Sequence, residues 1–209
     1  MSTIESYLAA VTWDGRVLRS VPKAMKTAEI CRAAVAQSCW ALEFVPRAMR
    51  NKGLCLAAVT QGGWALKYVP DVLRTAEICR AAVTHYGGAL EWVPEAFKTE
   101  ALCLAAVSRD GWALRFVPDV LKTAEICLAA VTRDGRAVEL VPEVFKTAEI
   151  CLAAVTQCGD VLWWVPEATK TGAVCLAAVT QNAWALEFVP QAMKTKTICR
   201  VAVARDGGV

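Results

Sequence analysis

Apolar and polar positions follow one order along this chain, and the order returns every 24 residues. Residues 123 to 146 show it: a polar start at Thr123 and Glu125, an apolar run from Ile126 to Val131, a polar turn through Arg133, Asp134 and Gly135, a second apolar run, then Val141-Pro142 and a polar close. Val-Pro recurs at Val21-Pro22, Val45-Pro46, Val69-Pro70, Val93-Pro94, Val117-Pro118, Val141-Pro142, Val165-Pro166 and Val189-Pro190, which accounts for all eight prolines. A period of this length marks repeats too small to bury their own apolar faces, sheltered by stacking on their neighbours. The chain, 1–209, reads as a single array with units 3–26, 27–50, 51–74, 75–98, 99–122, 123–146, 147–170 and 171–194 and a partial unit 195–209, without a linker.

The pattern within a unit predicts helices. Thr3, Thr27, Asn51, Thr75, Thr99, Thr123, Thr147, Thr171 and Thr195 open the units, and such residues cap a helix by accepting from an unpaired amide of its first turn. Glu29, Glu77, Glu125 and Glu149 follow where the helix dipole favours negative charge. Leu and Ala then sustain the helix, and Ile126, Ala129, Ala130 and Val131 give it an apolar side. Gly15, Gly63, Gly87, Gly111, Gly135, Gly159 and Gly207 stand where a left-handed residue would end it, and Cys39 and Ala183 in that register should strain or alter the turn. A second, shorter segment, Trp112 to Phe116 and its equivalents, ends before each proline, which disfavours helical geometry at the preceding Val. Proline then suits the first position of a new turn, as in Pro118 to Leu121. The Ala-Ala pairs, such as Ala105-Ala106 and Ala129-Ala130, let helices approach closely, so Ala106→Leu should overpack by roughly 1–3 kcal/mol. The fold class read here is all-α, an α-solenoid of helix, short helix and turn. Leucine-rich repeats have units of comparable length, but their Leu-x-x-Leu-x-Leu-x-x-Asn ladder is absent.

Composition narrows the class. Hydrophobic residues are 56% of the chain, above the roughly 45–50% of ordinary soluble domains, and the excess belongs to the repeated core. No apolar run reaches the roughly 20 residues that span a bilayer, and residues 1 to 26 align as a repeat rather than a secretory leader, so a soluble chain is expected. Eight of the ten cysteines (Cys31, Cys55, Cys79, Cys103, Cys127, Cys151, Cys175 and Cys199) share one register position amid Ile, Leu and Ala. Helices stack about 8–10 Å apart, too far for a disulfide, so these read as buried free thiols and point to a reducing, cytoplasmic compartment. Cys39 and Cys158 lie off register near turns.

The segments Leu104-Ala105-Ala106-Val107, Asp110-Gly111 and Ala113-Leu114-Arg115-Phe116, with counterparts in nearly every other unit, resemble a family of short tandem repeats known as a domain of unknown function. Its pattern is Leu-Ala-Ala-Val-x-x-Asn/Asp-Gly followed by Ala-Leu-x-Tyr/Phe. The resemblance implies arrays in bacterial and some protist proteins and assigns no activity. The chain departs from that pattern by its Val-Pro pairs and its cysteine column.

Function is sought where the units differ. The position after the glycine reads Arg16, Trp40, Trp64, Gly88, Trp112, Arg136, Asp160 and Trp184, which no single core slot accommodates. Those tryptophans should be partly exposed, forming a stripe with Phe44, Tyr68, Phe116 and Phe188 four residues on, and Trp163 beside Trp164 adds to it. Exposed apolar strips mark interaction sites, and Trp is enriched at interface hot spots, so Trp40, Trp64, Trp112, Trp163 and Trp184 are the candidate partner-binding residues; rings that merely cover the seams between units are the alternative. Each unit closes on Lys26, Arg50, Arg74, Lys98, Lys122, Lys146, Lys170 or Lys194. Such a ladder suits a phosphate backbone, but Asp71, Glu95, Asp119, Glu143 and Glu167 lie three positions earlier, which favours a solvated, neutralised column. His85 is the only histidine, no Cys-x-x-Cys pair suggests zinc, and no phosphate loop is present. The expectation is a non-enzyme scaffold without cofactor or metal that binds a protein or peptide, with a nucleic-acid solenoid or a structural spacer as alternatives and no membrane partner. The short last unit fits a fragment or end-to-end self-association.

Overall fold

The computed structural model describes residues 3–206; Gly207, which falls in the glycine column, lies outside them. The α-helices are α1 (Thr3–Trp13), α2 (Ala28–Gln37), α3 (Lys52–Gln61), α4 (Ala76–His85), α5 (Glu100–Arg109), α6 (Ala124–Arg133), α7 (Ala148–Gln157), α8 (Gly172–Gln181) and α9 (Lys196–Arg205). Each of α1 to α8 is followed by a six-residue 3₁₀ helix and a three-residue 3₁₀ turn, as in Gly111–Phe116 and Asp119–Leu121. No strand occurs among the described residues. The chain forms two compact halves divided between Ala106 and Val107, and each is an all-α solenoid. In the N-terminal half α1 packs on α2, α2 on α3 and α3 on α4; in the C-terminal half α6, α7, α8 and α9 pack in the same succession. Within each half, contacts also run from one six-residue 3₁₀ helix to the next, so a repeat is a wedge with a long and a short helix.

The capping chemistry acts as the sequence implies. Thr27, Asn51, Thr75, Thr99, Thr123, Thr147, Thr171 and Thr195 accept from the amide three residues on, at 2.9–3.4 Å. Thr3 differs, being the first residue of α1. One face of each helix enters the core, as with Ile126, Cys127, Ala130 and Val131, and the 3₁₀ helix adds Ala137 and Val138. Only the second alanine of each Ala-Ala pair is buried, Ala34, Ala58, Ala82, Ala106, Ala130, Ala154 and Ala178, so the pair is a one-sided contact.

Two local expectations, on the glycines and the prolines, are corrected. The glycines are not left-handed, since no described residue has positive φ. Each α-helix stops at an extended residue, Asp110 at φ −145° and ψ 107° for instance, and the glycine then begins the 3₁₀ helix. Glycine is needed for close approach: a Cβ on Gly111 would sit 2.6 Å from the Ala130 carbonyl oxygen, and one on Gly15 or Gly63 would collide with the carbonyl of Ala34 or Ala82. Where Cys39 and Ala183 replace it the 3₁₀ helix persists, while ψ of the preceding residue opens to 122° and 119° from 107–111° at Gly63, Gly87, Gly111, Gly135 and Gly159. The turn yields slightly rather than breaking. Finally, proline caps the last turn instead of entering it. Pro118, at φ −55° and ψ 141°, is polyproline-like, and its carbonyl accepts from Leu121 at 2.9 Å.

Candidate functional site

Residues that differ between repeats gather where each α-helix ends and its 3₁₀ helix begins. In the N-terminal half, Trp13, Asp14, Arg16, Gln37, Ser38 and Trp40 line an open hollow of ≈ 450 Å³. Trp40 is 48% exposed and stacks on Trp64 at a centroid distance of 3.3 Å, and Trp64 meets Tyr68 edge-on at 6.1 Å. One repeat on, Gly88 occupies the tryptophan position, and the Tyr86 ring lies where a Cβ of residue 88 would be. Tyr86 also approaches Trp92, 6.5 Å between centroids. A tyrosine two residues earlier thus replaces the missing indole, a substitution visible in the sequence only once the extended turn residue is known to share this edge.

In the C-terminal half the candidates separate. Trp112 is half-buried, its Nε1–H donates to Asp134 Oδ2 at 2.9 Å, and the Arg115 guanidinium lies 4.8 Å from its ring. Trp163 packs edge-on against Phe188 at 5.5 Å and Trp184 is 57% exposed. Arg136 and Asp160 stand between Trp112 and Trp184 in the column, so the aromatic strip is interrupted even within one half. An open groove of ≈ 460 Å³ occupies the interruption, lined chiefly by Arg133, Asp134, Arg136, Asp160, Gln181 and Asn182. Asn182 Nδ2 donates to Asp160 Oδ1 across the groove.

The last residues of α3, α6 and α8 reach the preceding repeat. Gln61 Nε2 donates to the Val35 carbonyl at 2.9 Å, Arg133 Nε to Arg109 at 3.1 Å and Gln181 Nε2 to Gln157 at 3.4 Å, in each case satisfying a carbonyl at an α-helix end. Gln37 and Gln181 also accept from the amides of Gly15 and Gly159 at 2.8 and 2.6 Å. The sequence groups His85 with this column; it is exposed at the end of α4.

The basic ladder is not a solvated column. Lys26 Nζ donates to the Phe44 carbonyl at 2.9 Å, Arg50 Nη1 to Tyr68 at 2.6 Å, Arg74 Nη1 to Trp92 at 3.1 Å and Lys146 Nζ to Trp164 at 3.2 Å, every acceptor being the last residue of the next repeat's 3₁₀ helix. A cation at a helix C-terminus meets both unpaired carbonyls and the negative end of the dipole. Lys146 and Lys170 are only 7% and 8% exposed, their long stems lying along apolar surface. The neutralising carboxylates are present: Arg74, Lys98, Lys122, Lys146 and Lys170 pair with Asp71, Glu95, Asp119, Glu143 and Glu167 at 2.6–3.0 Å. The Lys122 ammonium holds the Asp119 carboxyl below its ordinary range.

All ten cysteines are free, and the column thiols from Cys31 to Cys175 are buried. Burial pushes the Cys127 thiol up to about 11 and raises Cys31, Cys55, Cys79, Cys103, Cys151 and Cys175 in the same direction. Cys39 is half-buried and raised by the same cause, so no thiol in this set is poised as a thiolate nucleophile. Among the described residues no three His, Cys, Asp or Glu side chains converge as metal ligands would.

Two tandem segments match one family model. Residues 51–98 and 99–146 are each similar to a domain of unknown function, DUF4116. Each match spans two 24-residue repeats, so the family's unit is a pair of the wedges described above. No curated protein and no solved structure matches the chain.

Proposed function

We propose that this protein is a non-catalytic repeat scaffold that offers the edge between its long and short helices to a protein or peptide partner. The supporting observation is that Trp40, Trp163 and Trp184 remain 48%, 64% and 57% exposed while the core residues beside them, Ala41, Leu162 and Ala185, are fully enclosed. Large rings left in water on a well-packed frame are the usual anchors of an interface. A nucleic-acid reading is disfavoured by the basic ladder, whose donors engage backbone carbonyls and carboxylates of the same chain. The thiol-rich core supports a reducing compartment as its place of work, and no described helix is long and apolar enough to cross a membrane.

The test is a peptide array probed with the purified chain and with a variant carrying Trp40→Ala, Trp64→Ala, Trp112→Ala and Trp184→Ala. Peptides captured by the parent and lost by the variant, with helical circular dichroism unchanged, support the scaffold. If the variant loses its cooperative melting transition, the rings are structural; an array without any tryptophan-dependent capture removes the proposal.

A further inference from the structure

The interruption of the tryptophan column in the C-terminal half creates a second, smaller hollow. Its volume is ≈ 210 Å³, and its lining includes Trp112 and Trp164, the acidic Glu139 and Asp160, Arg136 and the buried Val161. Trp112 and Trp164 come from repeats two apart, and the intervening repeat has Arg136 where a third indole would fill the space. The slot is therefore aromatic, small and acidic by two carboxylates to one guanidinium. The Asp134 carboxylate on the Trp112 N–H adds negative charge at the ring edge. Arg115 places a guanidinium 4.8 Å from the centre of this indole without lining the slot, a cation–π pair that leaves Trp112 part of the lining. Arg136, Cys158 and Asp160 also line the ≈ 460 Å³ groove, so the two hollows adjoin. Side-chain amides of Gln157, Gln181 and Asn182 in that groove carry two donors and two lone pairs each, enough to bond a peptide backbone beyond their present contacts.

We propose that the slot between Trp112 and Trp164 takes the cationic side chain, arginine or lysine, of an extended peptide whose backbone lies in the adjoining polar groove. This rests on the peptide-scaffold reading and supplies its specificity. A cation enters because two indoles and two carboxylates line a volume suited to one side chain, whereas a neutral side chain forfeits the charge attraction to both.

The experiment titrates the full chain with an end-blocked Gly-Gly-Arg-Gly-Gly peptide and with its citrulline analogue, which keeps the shape and loses the charge. The indole N–H resonances of Trp112 and Trp164 are followed by NMR and assigned with Trp112→Phe and Trp164→Phe. The arginine peptide should shift both resonances saturably and bind about threefold to tenfold tighter than the citrulline peptide. Glu139→Gln with Asp160→Asn should shrink that difference, leaving only the part due to the indoles. Equal affinity of the two peptides overturns the cationic slot while leaving the scaffold reading intact, because tryptophan-dependent capture on the array is a separate result. Resonances that ignore both peptides also overturn it. Shifts that arise on raising the protein concentration without peptide assign the slot to a second copy of the chain and overturn it as well.

Discussion

A buried thiol in each repeat from 27–50 to 171–194 makes the protein sensitive to alkali at single residues. Cys127 is fully enclosed and titrates at about 11, against 9.0 for an exposed thiol, so the unfolded chain releases this proton first. The folded-state value is the higher one, hence its stabilising contribution is whole below pH 9 and is lost as the pH rises towards 11. Cys127→Ala should cut the decline in urea-unfolding free energy between about pH 7.5 and about pH 10.5 by roughly 1–2 kcal/mol; an identical decline in parent and variant would refute the buried-thiol account. The glycines offer a second single-residue contrast. Gly111→Ala brings a Cβ within 2.6 Å of the Ala130 carbonyl and should destabilise the chain by about 1–3 kcal/mol. Gly53, in the first turn of α3, has its nearest neighbour at 3.6 Å, and Gly53→Ala should stabilise by about 0.5–1 kcal/mol. Urea midpoints that move in the same direction for both variants would contradict the close-approach role. The opened ψ before Cys39 and Ala183 accompanies the Cβ that these two positions carry.

At the scale of elements, the 3₁₀ helices ending at Phe44, Tyr68, Trp92 and Trp164 each take their C-terminal cap from the preceding repeat. Lys146 closes Gly159–Trp164 while Glu143 neutralises it. Lys146→Met keeps the apolar stem and removes the donor, and should lower stability by about 1–3 kcal/mol because the Trp164 carbonyl loses its charged partner. Glu143→Gln, at a carboxylate 74% exposed, should cost less than about 1 kcal/mol. Urea titrations that rank Glu143→Gln as the costlier change would refute the cap. The α-helices were legible in the sequence because their signals are local: Thr or Asn at the cap, Ala and Leu along the run, proline after the second segment. What the sequence hid was set by partners far along the chain. Lys146 and its acceptor are 18 residues apart, and Gly111 and the Ala130 carbonyl are 19, so neither the inward turn of the basic column nor the reason for the glycine has a local signature. Nor does apolar spacing distinguish i+3 from i+4 bonding over six residues, which left the short helix unassigned as 3₁₀.

For the whole molecule the same partnerships limit what the surface can attract. The chain carries 23 lysines and arginines against 20 aspartates and glutamates, a net charge of +3. Of the unit-closing cations, Lys26, Arg50, Arg74 and Lys146 bind carbonyls of the next repeat, and Arg74, Lys98, Lys122, Lys146 and Lys170 pair with a carboxylate, so that this ladder presents little free positive charge. Polyanion binding requires cations available to displace counterions from phosphates, and its strength falls steeply with salt. The aromatic edge lacks that property: its rings and mixed charges, Asp134, Arg136, Glu139 and Asp160 in the C-terminal half, suit a partner read by shape and by single side chains. In electrophoresis at about 20 mM salt, single-stranded RNA should therefore run unshifted at protein concentrations of about 10 μM, well above what nonspecific phosphate binding needs once salt is low. A shift at that concentration that vanishes as salt rises, and that disappears on replacing Lys26, Lys98, Lys122 and Lys194 with methionine, would mean that the ladder releases its internal acceptors for phosphate, and would exchange the peptide scaffold for a nucleic-acid one.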